Sequence, residues 1–349
     1  MIRALAPALF DPLTAHRNMW SQFHELRRIN DAETSPGDPV MPDDLVEAIM
    51  KRPDPFEFRD RYVIASGEEM LSLFRGVGVT PANPEYTTNK HLYWAGGFVR
   101  PDRRRQGIAR LWLPLIAELM DSRGATVLGF SAQLESGHAF LKWLGAAPKL
   151  TEIESRLDLT QVDWGMVERW VREGQERSPN TRLEVYHGPL PEAMWPEFAV
   201  QRTLLENSVP TEDLDMGDEI VTPERMREWY ERQAAIGEVG ELILTREPDG
   251  SMSAMTDVGW APFRRTHIHQ MLTAVTPNAR GRGLGKWIKA AMLLHLRELY
   301  PDALWIVTGN ARSNAAMLGI NRALGFKPYR SSTEYQISRA ALGTKIKAL

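Results

Sequence analysis

The apolar positions in the second half of the chain change period in a regular order. Residues 183–187 read as a strand. Residues 192–207 read as a helix, with Trp195, Phe198, Leu204 and Leu205 as candidates for its apolar side. Pro223 stands where a first helical turn tolerates it, ahead of Met226, Trp229 and Tyr230. Residues 242–245 and 252–256, separated by Gly250 and Ser251, predict a hairpin, and 268–275 a longer strand. From about Leu284 onward Ile288, Met292, Leu296 and Leu299 recur at helical spacing. Residues 304–307 make a short apolar run of the buried-strand kind. Residues 315–324 predict another helix, and 334–338 a last strand. The expected fold class is α/β (α+β), a mixed, mostly antiparallel sheet with helices on both faces.

The pattern occurs twice. Met19, Trp20 and Phe23 recur as Met194, Trp195 and Phe198 at an offset of 175 residues. The stretch from Val99 through Arg104, Gly107 and Ala109 recurs from Val275 through Arg280, Gly283 and Gly285 at an offset of 176, and Leu144-Gly145 recurs as Leu324-Gly325 at 180. Three matches in one order at nearly one offset imply a duplicated domain. The expected division is a domain over 1–171, a polar linker over 172–182 with Gly174 and Pro179, and a second domain over 183–349.

Length and composition agree with two globular domains: 349 residues, 43% hydrophobic and 25% charged. A net charge of −3 gives no global field for nucleic acid or an anionic membrane. The absence of cysteine excludes disulfides, CxxC metal sites and a thiol nucleophile. No apolar run approaches the roughly 20 residues of a membrane span, and the N-terminal stretch meets Asp11 too early for a secretory signal. A cytoplasmic location is the expectation.

The strongest chemical signal is a strand, then Arg280, Gly281, Arg282, Gly283, Leu284 and Gly285, then a helix carrying Lys286. Glycines let backbone N–H groups approach an anion, the helix N-terminus adds partial positive charge, and arginine suits bidentate phosphate contact. This is a pyrophosphate cradle. It lacks the GK[ST] ending of a P-loop, and its spacing fits a dinucleotide fingerprint poorly.

A strand running into [RQ]xxGx[GA] resembles the coenzyme-A-binding motif of the GNAT N-acetyltransferase superfamily. Both copies match, through Arg104, Gly107 and Ala109 and through Arg280, Gly283 and Gly285. In the second copy Asn310, Asn314, Met317, Asn321 and Leu324-Gly325-Phe326 also resemble the segment that closes the cofactor site. Gln270, Thr273 and Val275 resemble a tandem, two-domain bacterial branch that is mycothiol-synthase-like. The resemblance implies acetyl-CoA between two splayed strands, with Ala274 and Val275 on the pantetheine and Arg280 to Lys286 on the phosphates. Asn310 and Asn314 would lie nearby. In the first copy the same contacts would come from Val99, Arg104, Arg105, Gln106, Gly107, Ile108 and Ala109.

The resemblance also implies direct attack of an acceptor amine on the thioester, which needs a proton acceptor, oxyanion donors and an acid for the thiolate. Many members place a glutamate base eleven residues before the first Arg or Gln of the loop. Here His269 stands there, with His267 two residues earlier as the alternative. Neither is expected to hold a metal, since no third ligand is apparent. The tyrosine acid of many members is replaced by Asn321, which can donate a hydrogen bond but no proton; Tyr329, Ser331, a water, or no acid at all stay open.

In the first copy Tyr93 replaces His269, Leu141 replaces the tyrosine, and Pro114 falls inside the loop helix, where it should kink or shorten it. The second domain is therefore expected to be catalytic and the first degenerate, with a catalytic Tyr93 as the reverse reading. Glu212, Asp213 and Asp215, in the segment that lines the acceptor site in the superfamily, would suit a polycationic amine. The expected function is acetyl transfer to the amine of a small molecule. A protein or peptide N-acetyltransferase and a non-catalytic coenzyme-A-binding protein are the alternatives. No nucleic acid or membrane partner is expected, and the assembly is a monomer with an internal pseudo-dimer or a homodimer.

Overall fold

A computed structural model describes residues 5–349. The chain forms two compact units that interleave along the sequence. The first takes the chain up to Leu150, Asp213–Asp218 and Ser332–Leu349; the second takes Thr151–Glu212 and Glu219–Ser331.

The first unit contains β1 (Ala8–Leu9), α1 (Arg17–Thr34), α2 (Asp43–Lys51), β2 (Glu57–Ser66), β3 (Glu69–Val79) and α3 (Tyr86–Asn89). It continues with β4 (Leu92–Val99), α4 (Trp112–Arg123), β5 (Val127–Ala132) and α5 (Glu135–Leu144). Strand β6 (Ala147–Asp158) passes into the second unit at Thr151. The second unit follows with α6 (Trp164–Arg177), β7 (Arg182–His187), α7 (Trp195–Glu206), α8 (Pro223–Ala235), β8 (Val239–Arg246), β9 (Met252–Trp260) and β10 (His267–Val275). Then come α9 (Leu284–Leu299), β11 (Trp305–Ala311), α10 (Ala315–Leu324) and β12 (Lys327–Ser338), which passes into the first unit at Ser332; α11 (Arg339–Lys347) ends the chain there.

Each unit therefore completes its sheet with a strand from the other half of the chain. The first sheet runs β1-β2-β3-β4-β5-β12, closed by Thr333 opposite Ala132 through Ser338 opposite Val127. The second runs β6-β11-β10-β9-β8-β7, closed by Glu152 opposite Ala311 through Asp158 opposite Trp305. Within the units the parallel neighbours are β4 with β5 and β10 with β11; the other paired strands are antiparallel.

Helices cover both faces, because alternate strand residues point opposite ways. On β8, Ile243 joins Ile288 and Leu293 of α9 in one core. Its neighbours Leu242 and Leu244 join Trp195, Phe198 and Met226 of α7 and α8 in another. In the first unit Tyr93 and Ala95 pack with Trp112 and Ile116, while Val63 and Phe98 pack with Trp20 and Leu26. The mixed, mostly antiparallel α/β class read from the periodicity is the observed one. Among the described residues no helix is long and apolar enough to cross a membrane.

The stretch read as a linker is helical as far as Arg177. Gly174 looked like a breaker, but it is buried and makes room for an aromatic ring. A Cβ there would overlap the Trp287 ring, so α6 and α9 meet at this residue. Gly174→Ala is expected to cost about 1–3 kcal/mol, the usual scale of overpacking, visible as a lower circular-dichroism melting midpoint. An unchanged midpoint would show that the two helices are not held this close.

Candidate active site

In the second unit β10 and β11 pair in parallel over four residues, from His267 opposite Trp305 to Gln270 opposite Thr308. Beyond that they part. β10 stays with β9 as far as Val275 opposite Ala254, and β11 stays with β6 as far as Ala311 opposite Glu152. A bulge between Gln270 and Thr273 turns β10 away. It is pinned by Gln270 Nε2, which donates to Thr256 Oγ1 and to the Asp257 carbonyl, both at 2.9 Å, and by the Thr256–Thr273 hydroxyl contact at 2.8 Å. The backbone groups on the inner edges of the V have no ladder partner across the gap, so an extended ligand with amides can satisfy them.

The mouth of the V leads into the glycine loop. Gly281 and Gly283 hold φ of +81° and +84°, a left-handed conformation that favours glycine. A Cβ at Gly281 would meet nothing within 4 Å, so the loop is open there. Helix α9 begins at Leu284 with no side-chain cap, which leaves its first N–H groups for an anion. Gly285 is glycine for a different reason: its Cβ would lie 3.3 Å from Ile320 Cδ1 and 3.6 Å from Val275 Cγ2, where α9 approaches α10 and β10.

The basic residues of the loop do different things. Arg280 Nε donates to the Val275 carbonyl at 3.4 Å, and among the described residues its Nη atoms meet no carboxylate. Arg282 is committed elsewhere: its guanidinium binds Glu247 at 2.9 Å, Thr181 at 2.6 Å and Ser178 at 3.1 Å, so only its backbone faces a phosphate freely. Lys286 is exposed, with Nζ 5.1 Å from the Trp170 ring centre.

On the wall opposite β10, Asn321 Nδ2 donates to Asn310 Oδ1 at 2.7 Å, while Asn321 Oδ1 is buried without a partner. Asn314 caps α10, its Oδ1 accepting from the Met317 N–H at 3.2 Å. Ala274 is buried and Val275 half-buried at the edge of the V.

His269 lies in register with Val307 of β11 and Gly259 of β9. It is exposed and faces away from the α9 side, where Ile268 is packed. His267 is buried, its Nδ1 2.9 Å from Thr266 Oγ1. Directly opposed residues share a sheet face, so β6 adds Arg156 opposite Val307, Glu154 opposite Gly309 and Glu152 opposite Ala311 to the face of His269. Glu154 accepts from Arg156 at 2.9 Å and from Arg330 at 2.6 Å, and Arg156 stacks 3.5 Å from the Tyr329 ring centre. Burial pushes the Glu152 carboxyl above the usual carboxylate range, with no cation to offset it. These residues were missed in the sequence because 151–158 was counted with the first copy. Its alternation of polar and apolar positions was legible; the unit it would join was not.

The acidic stretch is split between the units: Glu212 belongs to the second, and Asp213–Asp218 to the first. Asp215 meets His91 Nε2 at 3.0 Å, and its N–H donates to Gln336 Oε1 at 2.8 Å; the Gly217 N–H donates to Asn89 Oδ1 at 2.7 Å, and the Asp213 N–H approaches the Lys149 carbonyl at 3.4 Å.

The first unit repeats the splay, from Leu92 opposite Val127 to Ala95 opposite Phe130, and then departs. Tyr93 is fully buried and donates to Asp60 Oδ2 at 3.0 Å; burial and Asp60 raise its hydroxyl far above its ordinary range. Arg105 takes the place of Gly281 yet keeps φ at +63°. Gly107, at +83°, opens a 3-10 turn over Ile108–Leu111, and α4 starts only at Trp112, because Pro114 cannot donate to the Arg110 carbonyl. Arg104 Nε donates to the Val99 carbonyl at 3.1 Å, as Arg280 does to Val275, but its two Nη atoms are taken bidentately by Glu33 of α1 at 2.7 and 2.5 Å. Gln106 Nε2 approaches the Asp102 carbonyl at 3.3 Å.

No protein-family model and no curated protein sequence matches the chain. Solved structures do. A tandem GNAT protein from the clavulanic acid biosynthesis pathway, 20% identical, aligns over 96% of this chain and 99% of its own with a TM-score of 0.73. The fold is that of a tandem GNAT protein. A GCN5-related N-acetyltransferase from Sphaerobacter thermophilus aligns over 96% of both chains at 12% identity and a TM-score of 0.63. A glucosamine N-acetyltransferase region of a fungal multi-domain GH3 β-N-acetylglucosaminidase aligns over 96% of this chain and 38% of its own, at 14% identity and a TM-score of 0.65. The two interleaved units are the two GNAT folds of the tandem.

Proposed function

We propose that the second GNAT unit is an acetyl-CoA-dependent N-acetyltransferase acting on the amine of a small molecule, and that the first is a non-catalytic copy. The observation that carries this is the contrast between the cradles. Both keep the left-handed loop positions, but Arg104 is spent on Glu33 while the equivalent Arg280 faces outward with its Nη atoms unspent. A pyrophosphate fits the second cradle, where space is open at Gly281 and the N-terminus of α9 is uncapped by any side chain.

Acetyl-CoA supplies the activated acyl group, a thioester open to direct attack by an amine. The N–H groups from Gly281 to Lys286 and the Arg280 guanidinium would hold its phosphates. The edge of β10 at Ala274 and Val275 would bind the pantetheine amides, and Asn310 and Asn321 line the opposite wall. His269, exposed on the far face, would take the acceptor's proton at its imidazole. The half-buried Glu152 carboxylate would orient an ammonium arriving on that face. Support for a small-molecule acceptor comes from two of the structural neighbours, one named for clavulanic acid biosynthesis and one for glucosamine.

A screen of small amines and peptides for release of coenzyme A thiol tests this reading. Release with small amines and not with peptides is expected. Bound acetyl-CoA with no release to any small amine would contradict it.

The closed first cradle gives a separate expectation. The duplicate of Glu33, at the offset that relates Trp20 to Trp195, is Ser208. Glu33→Ser should free Arg104 and raise the calorimetric stoichiometry of acetyl-CoA from one per chain toward two. A stoichiometry that stays at one would show that the 3-10 start of the helix, rather than Glu33, closes this cradle.

A further inference from the structure

Lys289 is a lysine in the wrong place for a structural residue. It is 2% exposed, and among the described residues it has no carboxylate partner. Its Nζ lies 5.1 Å from the Phe326 ring centre. Burial alone, with no charged neighbour contributing, pulls its ammonium down to about 7. An unpaired buried ammonium is a standing cost to the fold, and such groups gather at functional sites.

Its position gives it work to do. Lys289 is one turn beyond Gly285 on the same face of α9, and a Cβ at Gly285 would meet Val275 and Ile320. Four residues of helix advance about 6 Å, which is about two residues of strand. The Lys289 backbone is therefore level with Thr273, just past the point where β10 and β11 part after Gln270 and Thr308. Phe326, which the ammonium faces, donates its N–H to the Asn321 carbonyl at 3.0 Å. Asn321 is also 2% exposed, and its Oδ1 is an orphan. Lys289 on α9 and Asn321 on α10 are thus both tied to Phe326, the first through its ring and the second through its backbone, and Asn321 stands where the family tyrosine is missing.

We propose that the Lys289 ammonium, held on α9 one turn beyond Gly285 and against Phe326, meets the sulfur of the bound cofactor and protonates it as it leaves. The inference rests on the second unit being the acetyl-CoA site. In the step, a bond forms between the acceptor nitrogen and the acetyl carbon, and the carbon–sulfur bond breaks with its electron pair going to sulfur. One Lys289 proton moves to that sulfur, and the neutral amine is reprotonated from solvent. The acceptor's own surplus proton leaves on the opposite face. A lysine near neutrality can both give and regain a proton there.

The test is a titration of protein-bound coenzyme A, read by ultraviolet thiolate absorbance, in the unmodified protein and in Lys289→Met. In the unmodified protein the bound thiol is expected to ionise about one pH unit or more below free coenzyme A, because the thiolate and the ammonium stabilise each other and titrate as a pair. In Lys289→Met it should return to the free value or above, while coenzyme A affinity is kept. The kcat for acetyl transfer should fall about 10²-fold with little change in KM for acetyl-CoA.

The variant should also melt higher. The folded lysine sits near 7 and the unfolded one at 10.5, so it opposes folding most below about 7, and that penalty fades as pH rises toward 10.5. The gain in the variant should fade over the same range. A bound thiol with an unshifted titration in the unmodified protein, or the same shift in Lys289→Met, would overturn the inference alone. No binding of coenzyme A to the unmodified protein would overturn it together with the proposed function.

Discussion

Gly283→Glu is expected to lower acetyl-CoA affinity at the second unit at least about 100-fold, near 3 kcal/mol, while the fold persists. Three effects act together. Gly283 sits at φ +84°, where a side chain costs about 1–2 kcal/mol. A Cβ there already approaches Arg177 Nη1 at 3.3 Å, a flexible tip that can move. The larger effect is electrostatic. A carboxylate at the position that caps α9 takes the N–H groups meant for phosphate and repels the phosphate itself. The backbone strain is small against the roughly 5–15 kcal/mol by which a folded protein is usually stable, so the fold should survive. Arg280→Glu carries the same charge argument without the strain, since Arg280 holds φ at −62°. Calorimetry on both variants, with circular-dichroism melts as the check on folding, decides the matter. Unchanged affinity in both would contradict the cradle assignment.

His269→Ala is expected to lower kcat about 10²-fold, the scale of general base catalysis, with little change in acetyl-CoA affinity. The imidazole is exposed on the face opposite α9 and shares its row with Arg156, Val307 and Gly259. An imidazole base works only when neutral, so the activity of the unmodified enzyme should rise from low pH as the imidazole gives up its proton. That rising limb should vanish in the variant. Glu152→Gln separates positioning from proton transfer: the KM for the amine should rise while the limb stays. If His269→Ala keeps the limb and Glu152→Gln loses it, the proton acceptor is Glu152.

The elements of the second half were legible from period alone. The predicted helix over 315–324 is α10, and the predicted strand over 268–275 is β10 with one residue added at its start. The loop was legible because glycine chemistry is local: the left-handed angles at Gly281 and Gly283 and the tight contact at Gly285 all arise within a few residues. Contacts made by distant side chains were not. Nothing local marks Arg282 as bound to Glu247, Ser178 and Thr181, or Arg104 as bound to Glu33, and those pairs separate the open cradle from the closed one. Strand exchange was equally hidden. The strands 151–158 and 333–338 pair with the unit their half of the chain does not otherwise form, so Glu152 and Arg156 entered the site from outside the copy being read. Lys289 was hidden in a helix whose other apolar positions already explained its pattern.

Calorimetric titration of the unmodified protein with acetyl-CoA tests the central claim most directly, with Gly107→Glu and Gly283→Glu measured beside it. One site per chain is expected, retained in Gly107→Glu and lost in Gly283→Glu. Two sites per chain, or a single site lost in Gly107→Glu and kept in Gly283→Glu, would contradict it.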